Sequence, residues 1–87
     1  MNTYFFVKVL LLASKEQLNF DFGPYVDFED ATHILDSVPN LLTEMNIEFN
    51  EYDIAIEERF LKKNKWTKIN TPVRLRISEE IITTESR

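Results

Sequence analysis

The stretch "FDFGPYVDFEDATHIL", Phe20 to Leu35, changes its period midway, and that change decides the fold class. Up to Phe22 the chain alternates. Leu18, Phe20 and Phe22 point one way and Asn19 and Asp21 the other, which is the pattern of a half-exposed strand. From Phe28 the apolar residues recur at helix spacing: Phe28, Ala31, Ile34/Leu35, Val38, Leu41/Leu42 and Met45. Between the two patterns stands the chain's single glycine, directly before a proline. Glycine permits backbone angles that other residues resist, and proline has no N–H for a ladder, so Gly23-Pro24 is expected to end the strand. Asp27 suits the helix N-cap, and Glu29 and Asp30 place negative charge in the first turn, where the helix dipole favours it. A lone glycine reads as a turn residue; a phosphate-cradling loop needs several.

Working outward, "TYFFVKVLLL" (Thr3–Leu12) is apolar on both alternating faces, as in a central strand covered on both sides, with "LNFDF" as its hairpin partner. The run is too short to cross a membrane, which takes roughly 20 residues, and it lacks the basic start and small-residue cleavage pattern of a secretion signal. Downstream, Pro39 interrupts the helical pattern, so the helix is expected to kink or to split there, with Asn46 as its stop. "IEF" reads as a short strand. "YDIAIEERFL" and "WTKINTPVRLRI" then alternate around "KKNK" as a hairpin. Pairing Leu61 with Trp66 sets Ile54 against Val73, Tyr52 against Leu75, Asp53 against Arg74 and Glu51 against Arg76. Pro72 marks the last strand as bulged or as a sheet edge. The expectation is an α+β two-layer sandwich of order β-β-α-(β)-β-β. A four- to five-stranded, mainly antiparallel sheet carries one Pro-kinked or split helix on one face. Residues 1–78 form a single domain and 79–87 an acidic tail.

The charge is strongly segregated. Residues 1–58 hold two lysines against twelve acids, residues 59–76 hold seven cations and no acid, and the tail is again acidic, for a net −5. Arg59, Lys62, Lys63, Lys65, Trp66, Lys68, Arg74 and Arg76 are therefore the candidate binding residues. In the expected register Arg59, Trp66, Lys68, Arg74 and Arg76 share the outward face of the hairpin. Cations around one aromatic suit a phosphate backbone with a stacked base. Nucleic-acid binders, however, carry a positive domain more often than a positive hairpin on a negative body. The same asymmetry lets the hairpin of one copy meet the acidic body of another, with Trp66 buried between them.

Catalytic chemistry finds little to use. There is no cysteine, hence no disulfide or thiolate metal site, and the one histidine, His33, lies on the polar side of the helix among Glu29, Asp30 and Asp36. That arrangement reads as helix-surface pairing and not as a metal site. Glu57 and Glu58 point to opposite faces of their strand, with Glu58 on the apolar side near a sheet margin.

"FGPYVDFEDATHIL" resembles the strand–Gly-Pro-aromatic–helix junction of the sporulation-related repeat that binds cell-wall glycan. The likeness covers those residues alone. Beyond them the second strand–helix unit of that family is replaced by the basic hairpin, so no function or site residue is carried over. The reading is a small non-enzymatic, cytoplasmic protein-binding or regulatory domain without catalytic residues, metal or cofactor, acting on a protein partner and forming a homodimer, with no membrane role. Small inhibitor proteins encoded by phages or mobile elements have this character. The alternative is a nucleic-acid-binding accessory protein that uses the basic hairpin 59–76.

Overall fold

The computed structural model describes residues 2–12, 19–47 and 51–78. These described residues form four strands and one helix in the order β1 (Thr3–Leu11), β2 (Asn19–Tyr25), α1 (Phe28–Glu44), β3 (Glu51–Lys62) and β4 (Lys65–Ser78). The strands form one antiparallel sheet of order β2-β1-β3-β4. The helix crosses over β1 and packs on β1, β2 and β3, giving the expected α+β architecture. The expected "IEF" strand and acidic tail fall mostly outside the described residues.

Alternation explains the layers. Val7, Val9 and Leu11 of β1 and Tyr52, Ile54 and Ile56 of β3 point to the helix, where Ala31, Val38 and Leu42 meet them in a buried cluster. Phe20 and Phe22 extend that cluster on β2. Ala31 is fully buried, so the first turns of the helix lie close to the sheet.

Gly23-Pro24 does not end the strand as expected. β2 continues to Tyr25, and the pair forms an extra residue in the ladder between the Val7–Phe22 and Phe5–Tyr25 pairings. Proline is tolerated because β2 is an edge strand among those described, with no second described neighbour to need its N–H. Gly23 has φ +137°, and a Cβ there would lie 2.9 Å from the Phe5 carbonyl oxygen and 2.9 Å from the Phe6 ring. Only glycine fits both the angle and the space.

The helix is one continuous element through Pro39. Asp27 is at the N-cap with extended backbone, although its side chain makes no capping hydrogen bond. The C-terminal end has paired backbone closure: Asn46, at φ 57°, donates to Thr43 O at 3.0 Å, and Ile47 donates to Leu42 O at 3.0 Å. This is the Schellman arrangement, with Ile47 folded back onto the core, and Asn46 is the expected stop.

The β3–β4 hairpin turns at Lys63-Asn64, with φ 51° and 65°, a tighter loop than the four residues of "KKNK". Leu61 pairs with Trp66 as expected, but the rest of the expected register needs correction. The register shifts twice between Ile56 and Arg59, each shift adding one residue to β4. Ile54 therefore faces Leu75, Ile56 faces Val73 and Tyr52 faces Ile77, while Asp53 meets Arg76, Ala55 meets Arg74 and Glu51 meets Ser78. Two single-residue bulges restore parity, so the apolar and charged faces keep their sides although every partner moves by two. Pro72 lies in this stretch, on what is indeed an edge strand.

Candidate functional site

The face of the sheet away from the helix carries Arg59, Trp66, Lys68, Arg74 and Arg76 of the residues singled out above, whereas Lys62 and Lys65, paired with each other, alternate to the opposite face and Lys63 lies in the turn. Cross-strand rows bring Tyr4, Arg59 and Lys68 together, then Phe6 and Glu57, then Asp21, Lys8, Ala55 and Arg74, then Asn19, Leu10, Asp53 and Arg76. Trp66, opposite Leu61, leans back over this face. Its ring centre lies 4.8 Å from that of Phe6 and 5.7 Å from that of Tyr4, both edge to face. The Arg59 guanidinium sits 4.3 Å over the Phe6 ring. Phe6 is thereby buried without any helix above it.

Arg59 is a structural hub. It donates to both Asp21 oxygens at 3.0 and 3.1 Å, and to Glu57 Oε1 from Nε at 3.0 Å and from Nη2 at 2.7 Å. The contact with Asp21 spans β1 and ties an edge strand to β3. Glu57, 8% exposed, is the buried charged residue among those described. Burial by itself depresses the Arg59 pKa, but the hydrogen bonds to Asp21 and Glu57 outweigh it and hold the guanidinium above its ordinary value. Glu58, on the apolar side, is only half-buried and accepts a hydrogen bond from Thr3 Oγ1 at 2.8 Å.

Arg76 is likewise engaged, gripping Asp53 with bonds of 2.7 and 3.1 Å and lying 3.7 Å from Glu51. The hydrogen bond from Arg76 holds the Asp53 carboxyl below the ordinary carboxylate range, against a smaller opposing effect of burial. Arg74 contributes at longer range. Among the described residues, Lys62, Lys63, Lys65, Lys68 and Arg74 have no carboxylate within ion-pair distance. The exposed acids of the helix, Glu29, Asp30, Asp36 and Glu44, likewise have no cation within ion-pair distance among the described residues. An open depression of about 460 Å³ lies beside Ala55, between Lys8 and Arg74.

The eight candidate residues thus divide. Arg59 and Arg76 are spent on internal ion pairs, and Trp66, 38% exposed, is packed against two rings. Among the described residues Arg74 and the four lysines have no carboxylate partner, and the lysines stand around the arm, where every residue from 61 to 70 is exposed. Sequence reasoning missed Leu61 and Ile69, each 51% exposed on that arm, and the bridging roles of Asp21 and Glu57. Glu57 was readable, since it shares a strand face with Arg59 two residues on; Asp21 required the strand order. His33 is exposed on the helix, and among the described residues no group of three or more potential metal ligands converges. Among the same residues no helix is long and apolar enough to cross a membrane.

No protein-family model matches the chain, and neither does any curated protein or solved structure.

Proposed function

We propose that this chain is a non-enzymatic, regulatory protein-binding domain whose docking element is the basic arm around Lys63-Asn64, and that its partner presents an acidic protein surface. The observation that carries this reading is the pairing, on one projecting hairpin, of exposed Leu61 and Ile69 with Lys62, Lys63, Lys65 and Lys68, none of them neutralised by a described carboxylate. Exposed apolar side chains interspersed with uncompensated cations along one arm supply what an acidic partner needs: charge for steering and orientation, desolvated apolar area for affinity. A small acidic body with one basic arm also suits the inhibitor-type proteins of phages and mobile elements, which act by occupying a surface.

The nucleic-acid alternative is weaker on two counts. Two of the hairpin's three arginines, Arg59 and Arg76, already hold carboxylates, and the one tryptophan available for stacking is occupied by Tyr4 and Phe6. Trp66 is the chain's single tryptophan and sits on the arm, so its fluorescence reports engagement directly. A peptide of alternating glutamate and leucine and an oligo-dT strand are the two probes. The peptide is expected to shift the emission, less so at high salt, and to lose its effect when the four lysines become alanine or Leu61 and Ile69 become serine. Tight oligo-dT binding at physiological salt, lost in the lysine variant, overturns this reading in favour of nucleic acid.

A further inference from the structure

The segment Val73-Arg74-Leu75-Arg76-Ile77 reads the same in both directions as a pattern of apolar and cationic residues, and it lies on an edge of the sheet that no other described strand covers. The helix packs on β1, β2 and β3, so the helix side of β4 is thinly covered, and Leu75 is 45% exposed there while Val73 and Ile77 are partly buried. Pro72 and the bulges beside it spoil the edge for pairing on one side, which confines any added strand to Val73 and beyond.

We propose that two copies of the chain join along β4, antiparallel about Leu75, so that one eight-stranded sheet runs through the pair. In this register Leu75 faces Leu75 of the second copy and Val73 faces its Ile77, all on the helix side. Both helices then stand on that side and flank a shared apolar strip. On the other face Arg74 lies across from Arg76 of the second copy, whose charge Asp53 and Glu51 already hold. Neighbouring registers are worse. A one-residue slip sets each leucine opposite an arginine, and a slip of two toward Pro72 sets the unpaired Arg74 directly against its own copy. The arrangement also completes the edge that the monomer leaves open, the usual hazard of a long final strand. It does not depend on the arm, which lies at the other end of β4.

The absence of cysteine makes the register testable. Opposed residues in an antiparallel pair have Cα atoms about 4.5–5.5 Å apart, within disulfide reach. Leu75→Cys, mildly oxidised, is expected to give a covalent dimer. Val73→Cys is the control, because the proposed register places it roughly 14 Å along the strand from its own equivalent at about 3.4 Å per residue. Sedimentation equilibrium adds an uncrosslinked readout: the wild type is expected to dimerise, and Leu75→Lys, with an unchanged circular dichroism spectrum, to be monomeric. A wild type that sediments as a monomer at its highest soluble concentration overturns the proposal. Val73→Cys linking as readily as Leu75→Cys overturns the register and with it the proposal.

Discussion

On the helix side of β1 stand Val7, Val9 and Leu11; one residue away, on the opposite side, stand Phe6, Lys8 and Leu10. The first set is dried by a layer of backbone, with Ala31, Val38 and Leu42 of the helix closing over it. On the other side only Phe6 is dried, and by side chains alone, Arg59 above one part of the ring and Trp66 against another. Both solutions bury a large side chain on the same strand. They differ in what they ask of the sequence: the helix side needs apolar residues in the right period, while the open side needs a charge network whose every member is satisfied. A buried layer of the first kind tolerates repacking; one of the second kind fails when a single partner is lost.

The comparison can be broken by mutation, beginning with the larger effect. Leu42→Ala removes a fully buried side chain between helix and sheet, where rigid backbone on both sides limits collapse. A loss of about 3 kcal/mol is expected in urea unfolding. Arg59→Ala should cost less, about 2 kcal/mol, below the roughly 3–5 kcal/mol of a fully dry broken pair, because the Asp21 end of the network is open to water. If Arg59→Ala proves the costlier of the two, the charge network and not the helix layer is the main support of the fold.

A sharper second test separates cover from charge on the open side. Arg59→Met keeps an aliphatic stem over Phe6 but leaves Glu57, whose side chain is 11% exposed, without its cation. Adding Glu57→Gln to that background removes the stranded charge, and about 1 kcal/mol of stability is expected to return. No recovery in such a double-mutant cycle would mean that Arg59 acts mainly as an apolar lid.

The same contrast explains how much was legible in the sequence. The helix side was legible almost residue by residue, because periods of two and near 3.6 are local properties: Tyr52, Ile54 and Ile56 fell on the correct face, and Asn46 stopped the helix as expected. The open side was legible only in its parity. The Asp21–Arg59 contact joins residues 38 apart through the order β2-β1-β3, which no window of sequence contains. The drift in the β3–β4 register has a similar cause. A bulge adds a residue without disturbing the alternation on either side of it, so Pro72 signalled a bulge or an edge, but not that two bulges there move every pair beyond them. Gly23-Pro24 taught the converse, since a residue pair that reads as an ending is also compatible with an edge strand that carries on.

The smallest effect concerns the exposed pair at the far end of the open face. Asp53 and Arg76 make two short bonds, yet the Arg76 side chain is 60% exposed, and such surface pairs are weakened by solvent and salt. The Asp53 carboxyl is nonetheless held below the ordinary range, mainly by the Arg76 hydrogen bond. A carboxylate with a depressed folded pKa stabilises the fold at pH above its unfolded value, near 3.9, and that contribution fades as the pH falls through the folded value. Wild type is therefore expected to be slightly more stable than Asp53→Asn at pH 7, with the gap closing progressively below about pH 4. Strong salt at pH 7 should close it as well, whereas the Arg59→Ala deficit, which belongs to a largely buried side chain, should survive the same salt. Urea curves of both variants across pH and ionic strength give the comparison. A gap for Asp53→Asn that widens in acid would mean that the bonds to Arg76 do not favour the charged carboxylate, and that the exposed pair plays no part in holding β4 to β3.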